Sequence, residues 1–514
     1  MKKISRVSAW LLAVVMLLTL IPTMVSAEEL TVYPLADYAD CVKLVGRTEV
    51  TDTAIVPHTT ASGIAFYSNC SGTIEMSIKG MKNLFDAQYF IVYVDGVIHK
   101  RVELPHLTKN RLVTKTLVMA ENLPEGMHRI EILRETEEVN AYCEFLSISL
   151  NGEMTPVAEA PMLIEFVGDS ITTGYGAYPF DYADENDPVD HPSRQAGTKS
   201  YAYLTARELG MDIQVCCTSG YGAEVGWNAD GVNMQDMYEK TAFHHNREAE
   251  WSFERPADIV VINLGTNDNS VRKTRYTSEA QILSGMKNLT NIVRSRNPDA
   301  KIVWATGMMG ICFKKGLTEM VEELGGADAG YYFCVLPKGT SGGAGHPDEA
   351  EHLAASETLI EFLKTEVLDA DYASGFVSAD DMKALIEQAA GLDTFDGYVD
   401  FAKAELDSFL ASETEFSGTM TAMYQLLKAQ VDAYVPGEDA PDQNPSSDAP
   451  EDDAKGLTKD QIIIIAAVAI GVLALAVLAV VLVYSLKAPT SKAKDTSPNQ
   501  TEQTPDEGET KEGE

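Results

Sequence analysis

Positive charge is what this chain has least of: 40 Lys and Arg stand against 77 Asp and Glu, a formal net charge of −37 over 514 residues. Such an excess repels polyanions, so no nucleic acid is expected as a partner, whereas an uncharged acyl ester meets little repulsion. Seven cysteines occur without any Cys-x-x-Cys pair, which leaves a zinc site without ligands at the usual spacing. Their odd number keeps at least one thiol out of any intramolecular disulfide, and dispersed buried thiols are expected. There is no P-loop, dinucleotide fingerprint or EF-hand loop, so neither a metal nor a cofactor is expected. Histidines number nine, few enough to weigh each as a base.

What is present is a set of short blocks, each at the end of an apolar run. Met162 to Val167 reads as a buried strand and runs into Gly168-Asp169-Ser170-Ile171-Thr172. A serine at the C-terminal edge of a parallel strand enters the crevice where open α/β sheets bind ligands. Its hydroxyl becomes a useful nucleophile once a base takes its proton and donors receive the oxyanion. The next block is Val215-Cys216-Cys217-Thr218-Ser219-Gly220-Tyr221-Gly222. The third is the β-branched run Ile259 to Asn263 leading to Gly265-Thr266-Asn267-Asp268, and the last is Gly345-His346-Pro347 at the entry to a helix running toward Val367. Ser170 as nucleophile, His346 as base, and a glycine N–H with an asparagine amide as donors are the parts acyl transfer requires.

In order and wording the blocks resemble those of the SGNH (GDSL) hydrolases. With Val303-Trp304-Ala305-Thr306-Gly307-Met308-Met309-Gly310 they resemble carbohydrate esterase family 2 in particular. The resemblance covers roughly residues 30 to 370. It implies a small β-sandwich joined to an SGNH domain, and removal of acetyl groups from plant polysaccharides. By motif, Ser170 matches the nucleophile and His346 the base. The N–H groups of Ser170 and Gly220 and the side chain of Asn267 match the oxyanion donors. Tyr175, Trp227 and Trp304 are candidate stacking partners for a sugar ring. Rival readings are a lipase, another acyl esterase or an acyltransferase of the same fold, or a catalytically silent glycan-binding surface protein.

One departure from the family pattern stands out. The Asp expected three residues before the histidine is Gly343, and no acidic residue lies between Lys338 and His346. Asp348, just past Pro347 at a helix start, is poorly placed to reach back. Some family members work with a Ser–His dyad whose imidazole is held by a backbone carbonyl; a dyad is the expectation here, with an acid supplied from another loop as the open alternative. His191, in a polar stretch from Asp181 to Thr198, reads as an exposed loop residue and His352 as structural. His244 and His245 read as a solvated loop or helix end, because adjacent histidines do not share a helix face.

Residues 1–27 read as a secretory signal peptide: Lys2, Lys3 and Arg6, an apolar stretch to about Ile21, and a small-residue cleavage site at Val25-Ser26-Ala27. Residues 30–158 show alternating strands and the hairpin signature Asp95-Gly96, as in a β-sandwich or jelly roll. Residues 161–370 alternate strands with helices, the pattern of an open, mostly parallel α/β sheet. Residues 376–435 turn helical, a stalk with Met382, Leu385, Ile386 and Ala389 on one face. Residues 436–460 read as a disordered Pro-, Asp- and Ser-rich linker. Ile462 to Leu486 is uncharged and long enough to span a bilayer. Lys487, Lys492 and Lys494 follow it, so the tail 487–514 is expected inside and the catalytic domain outside, anchored by a single pass.

Overall fold

The structure, a computed structural model, describes residues 29–178, 192–228, 230–392 and 395–434. The signal peptide, linker, membrane span and tail expected from the sequence lie outside these residues. Among the described residues no helix is long and apolar enough to cross a membrane.

The first half is a sandwich of two antiparallel sheets. One runs in the order Thr48–Val50, Ile55–Pro57, Ala141–Leu150, Gly72–Lys82, Val113–Leu123, with Thr31–Pro34 also on Ala141–Leu150. The other runs Met154–Pro156, Gly63–Ser68, His128–Arg134, Gln88–Val94, Val97–Leu104, with Lys43–Val45 on Gly63–Ser68. Ile74, Met76, Ile78, Phe66, Phe90, Val92, Phe145 and Ile148 fill the space between them. Asp95 and Gly96 turn the hairpin with φ of 49° and 78°, a pairing that suits a tight two-residue connection. Every residue of Gln88–Val94 is buried. Its second face has no access to solvent because Ile91 and Tyr93 enter the core of the next domain.

That domain is a five-stranded sheet, every pairing parallel, in the order Asp212–Cys217, Leu163–Gly168, Ile259–Asn263, Lys301–Met308, Tyr331–Lys338. The chain order reverses on either side of Leu163–Gly168, which makes the ends of that strand and of Ile259–Asn263 the switch point where such sheets open a crevice. Alternate side chains feed two cores. Ile164, Phe166, Val261 and Val303 face the helices Tyr201–Glu208 and Glu349–Phe362. Leu163, Val167, Ile262 and Trp304 face Glu279–Arg296 and Lys314–Glu323.

Buried charge joins the halves. Arg47 and Glu165, each about 1% exposed, pair at 2.9 Å. Tyr238 donates its hydroxyl to the same carboxylate at 2.6 Å. Removing one partner of such a pair strands the other, typically at about 3–5 kcal/mol. The connection between His128–Arg134 and Ala141–Leu150 carries Glu135, Glu137 and Glu138, all buried. Burial raises the carboxyls of Glu135 and Glu137 above their usual range and pushes Glu138 up to about 7. Three helices, Ala379–Ala390, Asp396–Ser412 and Gly418–Ala433, form their own small core. They close over the sandwich, where the rings of Tyr67 and Phe401 stack at 5.4 Å. Glu405, 1% exposed, there meets Arg129 at 3.2 Å and accepts hydrogen bonds from Tyr67 and Thr419.

All seven cysteines are free thiols, and all but Cys41 are buried. The pair His244–His245 lies in a loop, as expected, with His245 exposed and His244 half-buried. It sits at the tip of a hairpin, Lys240–Ala242 with Asn246–Glu250, and the buried Glu138 accepts from both backbone N–H groups at 3.3 and 3.1 Å. The His245 ring stacks on Tyr142 at 3.6 Å.

Glu138 yields a pH test. A carboxyl held above its unfolded value keeps its proton in the folded chain while the unfolded chain releases it, so its contribution to stability falls as pH rises from the ordinary carboxyl range to about 7. Glu138→Gln removes that titration. The stability of the variant relative to wild type is expected to rise between pH 5 and pH 8 in urea melts. A difference that stays flat or falls over that range would contradict the assignment.

Candidate active site

Ser170 sits just past the C-terminal end of Leu163–Gly168, where the chain folds back sharply. Thr172 and Thr173 donate their N–H groups to Asp169 O at 3.0 and 3.1 Å, and Tyr175 donates to Ser170 O at 3.0 Å. The return is so tight that a Cβ on Gly168 would lie 2.0 Å from Thr172 Oγ1. Asp169 is fully buried, takes the Ile171 N–H at 3.0 Å, and has its carboxyl pushed up to about 7 by burial.

His346 arrives from the far edge of the sheet, after Tyr331–Lys338 and a glycine-rich loop. Its Nε2 lies 2.7 Å from Ser170 Oγ. Its Nδ1 faces the carbonyl of Gly343 at 3.2 Å. A proton on Nδ1 donated to that carbonyl leaves the Nε2 lone pair on the serine hydroxyl, the tautomer a general base needs. Gly343 N in turn donates to Gly176 O at 3.2 Å. A Cβ on Gly176 would come within 2.8 Å of Gly343 N and O, so the serine loop and the histidine loop touch backbone to backbone. Asp348 is occupied elsewhere, its Oδ1 accepting the Glu351 N–H at 2.9 Å as the cap of Glu349–Phe362. His191 and the acidic residues from Asp181 to Asp190 lie outside the described residues.

Gly220 follows Asp212–Cys217 in a left-handed conformation, φ 85°, and accepts the Trp227 N–H at 2.8 Å. Asn267 lies in the first turn of Thr266–Val271 and bridges the other blocks. Its Nδ2 donates to Asp169 Oδ2 and to Tyr221 O, both at 2.9 Å. Both amide hydrogens are therefore engaged in the resting site, and an oxyanion would meet Asn267 only through exchange of one of these bonds. Asp268, unassigned by the sequence reading, accepts the N–H groups of Ala223, Glu224 and Val225 at 2.8–2.9 Å and anchors the loop after Gly220. The signal was present in Gly-Thr-Asn-Asp, where an acidic residue lies in the first turn of the helix that follows a buried strand.

The aromatic candidates separate. Trp304 is not a sugar contact: it is fully buried, and its Nε1 donates to Thr290 Oγ1 at 2.8 Å. Strand alternation aims it at the helices and away from the crevice. Tyr175 is 7% exposed and packs its ring 4.5 Å from that of His346. Trp227 is 65% exposed beside Gly220. His352 is buried, its Nδ1 accepting the Tyr201 N–H at 3.2 Å, and burial together with His346 pushes it down to about 3. It stays neutral as a core residue. Among the described residues no three His, Cys, Asp or Glu side chains converge as a metal site would.

Comparison with known proteins follows the same division. Residues 44–161 match the carbohydrate esterase 2 N-terminal family, and residues 166–385 match the GDSL-like lipase/acylhydrolase family. The chain is 30% identical over 296 residues to Cellulase/esterase CelE of Acetivibrio thermocellus, which takes in 54% of this chain and 34% of that one. The match thus spans about a third of that relative's length. An acetylxylan esterase / glucomannan deacetylase of Cellvibrio japonicus is 26% identical over 257 residues, 48% of this chain and 68% of that one. Among solved structures, an acetyl xylan esterase from Butyrivibrio proteoclasticus shares the fold with a TM-score of 0.57 at 22% identity, covering 66% of this chain and 98% of that one. A family two carbohydrate esterase from Clostridium thermocellum, solved with cellohexaose, gives 0.56 at 25% identity, covering 63% and 99%. With both matches adjoining in the order of the two folded halves, the chain is similar to the GDSL-like lipase/acylhydrolases in its second half and to the two-domain family 2 carbohydrate esterases in its layout.

Proposed function

We propose that this protein is an extracellular, membrane-anchored carbohydrate O-acetyl esterase. The observation that carries the reading is the 2.7 Å approach of His346 Nε2 to Ser170 Oγ, with Gly343 O at the other ring nitrogen. His346 takes the serine proton as Oγ bonds to the ester carbonyl carbon. The resulting oxyanion is received by the N–H groups of Ser170 and Gly220, neither of which goes to another backbone carbonyl among the described residues, and by Asn267 after its bond exchange. Collapse breaks the bond to the sugar oxygen, which leaves with the proton from His346. Water, deprotonated by the same imidazole, then cleaves the acyl-enzyme and releases acetate.

The substrate class is supported by the relatives' acetylxylan and glucomannan activities and by the cellohexaose-bound neighbour. Trp227, the exposed aromatic beside Gly220, is the proposed platform for a sugar ring. Anchoring rests on the sequence of residues 1–27 and Ile462 to Leu486.

Three measurements check this reading, each scored as acetate release from acetylated xylan and glucomannan and as hydrolysis of nitrophenyl acetate. Ser170→Ala and His346→Ala are each expected to lose about three or more orders of magnitude in kcat, with the double variant hardly worse, since the two act as one unit. Turnover near wild type in Ser170→Ala would remove it from the mechanism.

If a carbonyl suffices to hold His346, Asp348→Ala and single Asp→Asn changes from Asp181 to Asp190 leave kcat within about tenfold, or roughly 1.4 kcal/mol. A thousandfold drop at one of them, with the fold intact, would turn the dyad into a triad.

Trp227→Ala is expected to raise KM for the polymers about tenfold while leaving nitrophenyl acetate unaffected, the scale of one lost stacking contact. Equal effects on both substrates would take Trp227 off the sugar.

A further inference from the structure

Glu137 belongs to the sandwich, 82 residues before Ser219, yet it ends on the loop that carries Gly220. One carboxylate oxygen accepts the Ser219 N–H at 2.7 Å. The other accepts the Ser219 hydroxyl and Gln195 Nε2, both at 2.6 Å. Gln195 is fixed in return, its carbonyl oxygen taking the Glu137 N–H at 3.1 Å and Asn140 Nδ2 at 2.8 Å. Glu137 is 2% exposed, and the cation that acts on it, Arg134, bonds its backbone carbonyl at 2.9 Å and makes no ion pair with its carboxylate among the described residues. A buried carboxylate without a counter-ion in contact is an expensive way to join two domains when an apolar side chain would serve.

What the arrangement holds in place is the peptide unit between Ser219 and Gly220. On one side Glu137 grips Ser219 by both N–H and hydroxyl, and on the other Trp227 N–H holds Gly220 O at 2.8 Å. Gly220 itself has a φ of 85°, with nothing nearer to an added Cβ than Trp227 Cβ at 3.6 Å, so close packing does not constrain it. The direction of its N–H is set by its neighbours' hydrogen bonds. Three donors meet one side chain, and only a carboxylate offers an acceptor to each. A glutamine there would turn an NH2 toward at least one of them.

We infer that Glu137 is a positioning residue for acyl transfer: from the sandwich domain it orients the Gly220 N–H that receives the oxyanion. The inference rests on the catalytic reading of Ser170 and Gly220 given above. It makes the crevice a product of both domains, with the sandwich contributing a group that acts on the oxyanion hole.

The test uses the full chain and compares Glu137→Gln with Glu405→Gln. The latter removes an equally buried inter-domain carboxylate, one whose partners Arg129, Tyr67 and Thr419 lie outside the site described above. Glu137→Gln is expected to lower kcat about 10- to 100-fold, a fraction of what a lost oxyanion donor costs, with KM within about threefold. The loss should be the same for nitrophenyl acetate and for acetylated xylan, since both form the oxyanion. Glu405→Gln is expected to lower Tm while keeping kcat within about twofold. Ser219→Ala, which keeps the N–H bond to Glu137, should fall between, about three- to tenfold down in kcat, and serves if Glu137→Gln does not fold. A folded Glu137→Gln with wild-type kcat, a loss confined to KM, or a Ser219→Ala with unchanged kcat would each overturn the inference. An active Ser170→Ala would overturn the catalytic reading itself, whatever Glu137→Gln does.

Discussion

The guanidinium of Arg134 is fully buried where the sandwich meets the α/β domain, and every one of its nitrogens donates to a backbone carbonyl. Nε reaches Thr136 O at 2.7 Å, Nη1 reaches Pro57 O and His58 O at 2.9 and 3.3 Å, and Nη2 reaches Glu137 O and Ala141 O at 2.9 and 2.6 Å. This single cation therefore shapes the connection that carries Glu135, Glu137 and Glu138, and its field lowers the cost of ionising the last two. Uncompensated, three carboxylates in so dry a place would drive the loop outward. Held, they reach Thr198, Ser219 and the His244–His245 turn, so the second domain is fixed at points surrounding its own crevice.

Much of this was legible in the sequence because it has short-range causes. Asp95-Gly96 turns a hairpin through left-handed φ values. Gly-Asp-Ser ends a strand, and Met382, Leu385, Ile386 and Ala389 share the buried face of Ala379–Ala390. Ser170 and His346, 176 residues apart, meet because the segments that carry them both follow the C-terminal ends of strands in one parallel sheet. Other features escaped for equally physical reasons. Trp304 was drawn to the crevice by its motif, but strand alternation sends it to the opposite core, where Thr290 meets its N–H. Glu137 sits among charged neighbours that read as solvated surface, and only the packing of the two domains reveals what it grips.

The outer face of the second sandwich sheet illustrates the same dependence. Ile91, Tyr93 and Leu133 join the core beneath Tyr201–Glu208, while Ala65, Tyr67 and Val157 pack on Ala404 and Phe401 of the helical region. A sandwich of this kind could have presented that face to a glycan. Here that face is covered by protein.

The hold on His346 has a genetic corollary. Where a carboxylate orients the imidazole, one nucleotide change can remove it. The acceptor here is the main-chain oxygen of Gly343, which every amino acid possesses. Only a change in loop path can withdraw it, and that path is pinned by contact with Gly176. The orientation of the imidazole thus depends on the path of its loop, and part of that dependence falls on Gly176, a glycine in the serine loop.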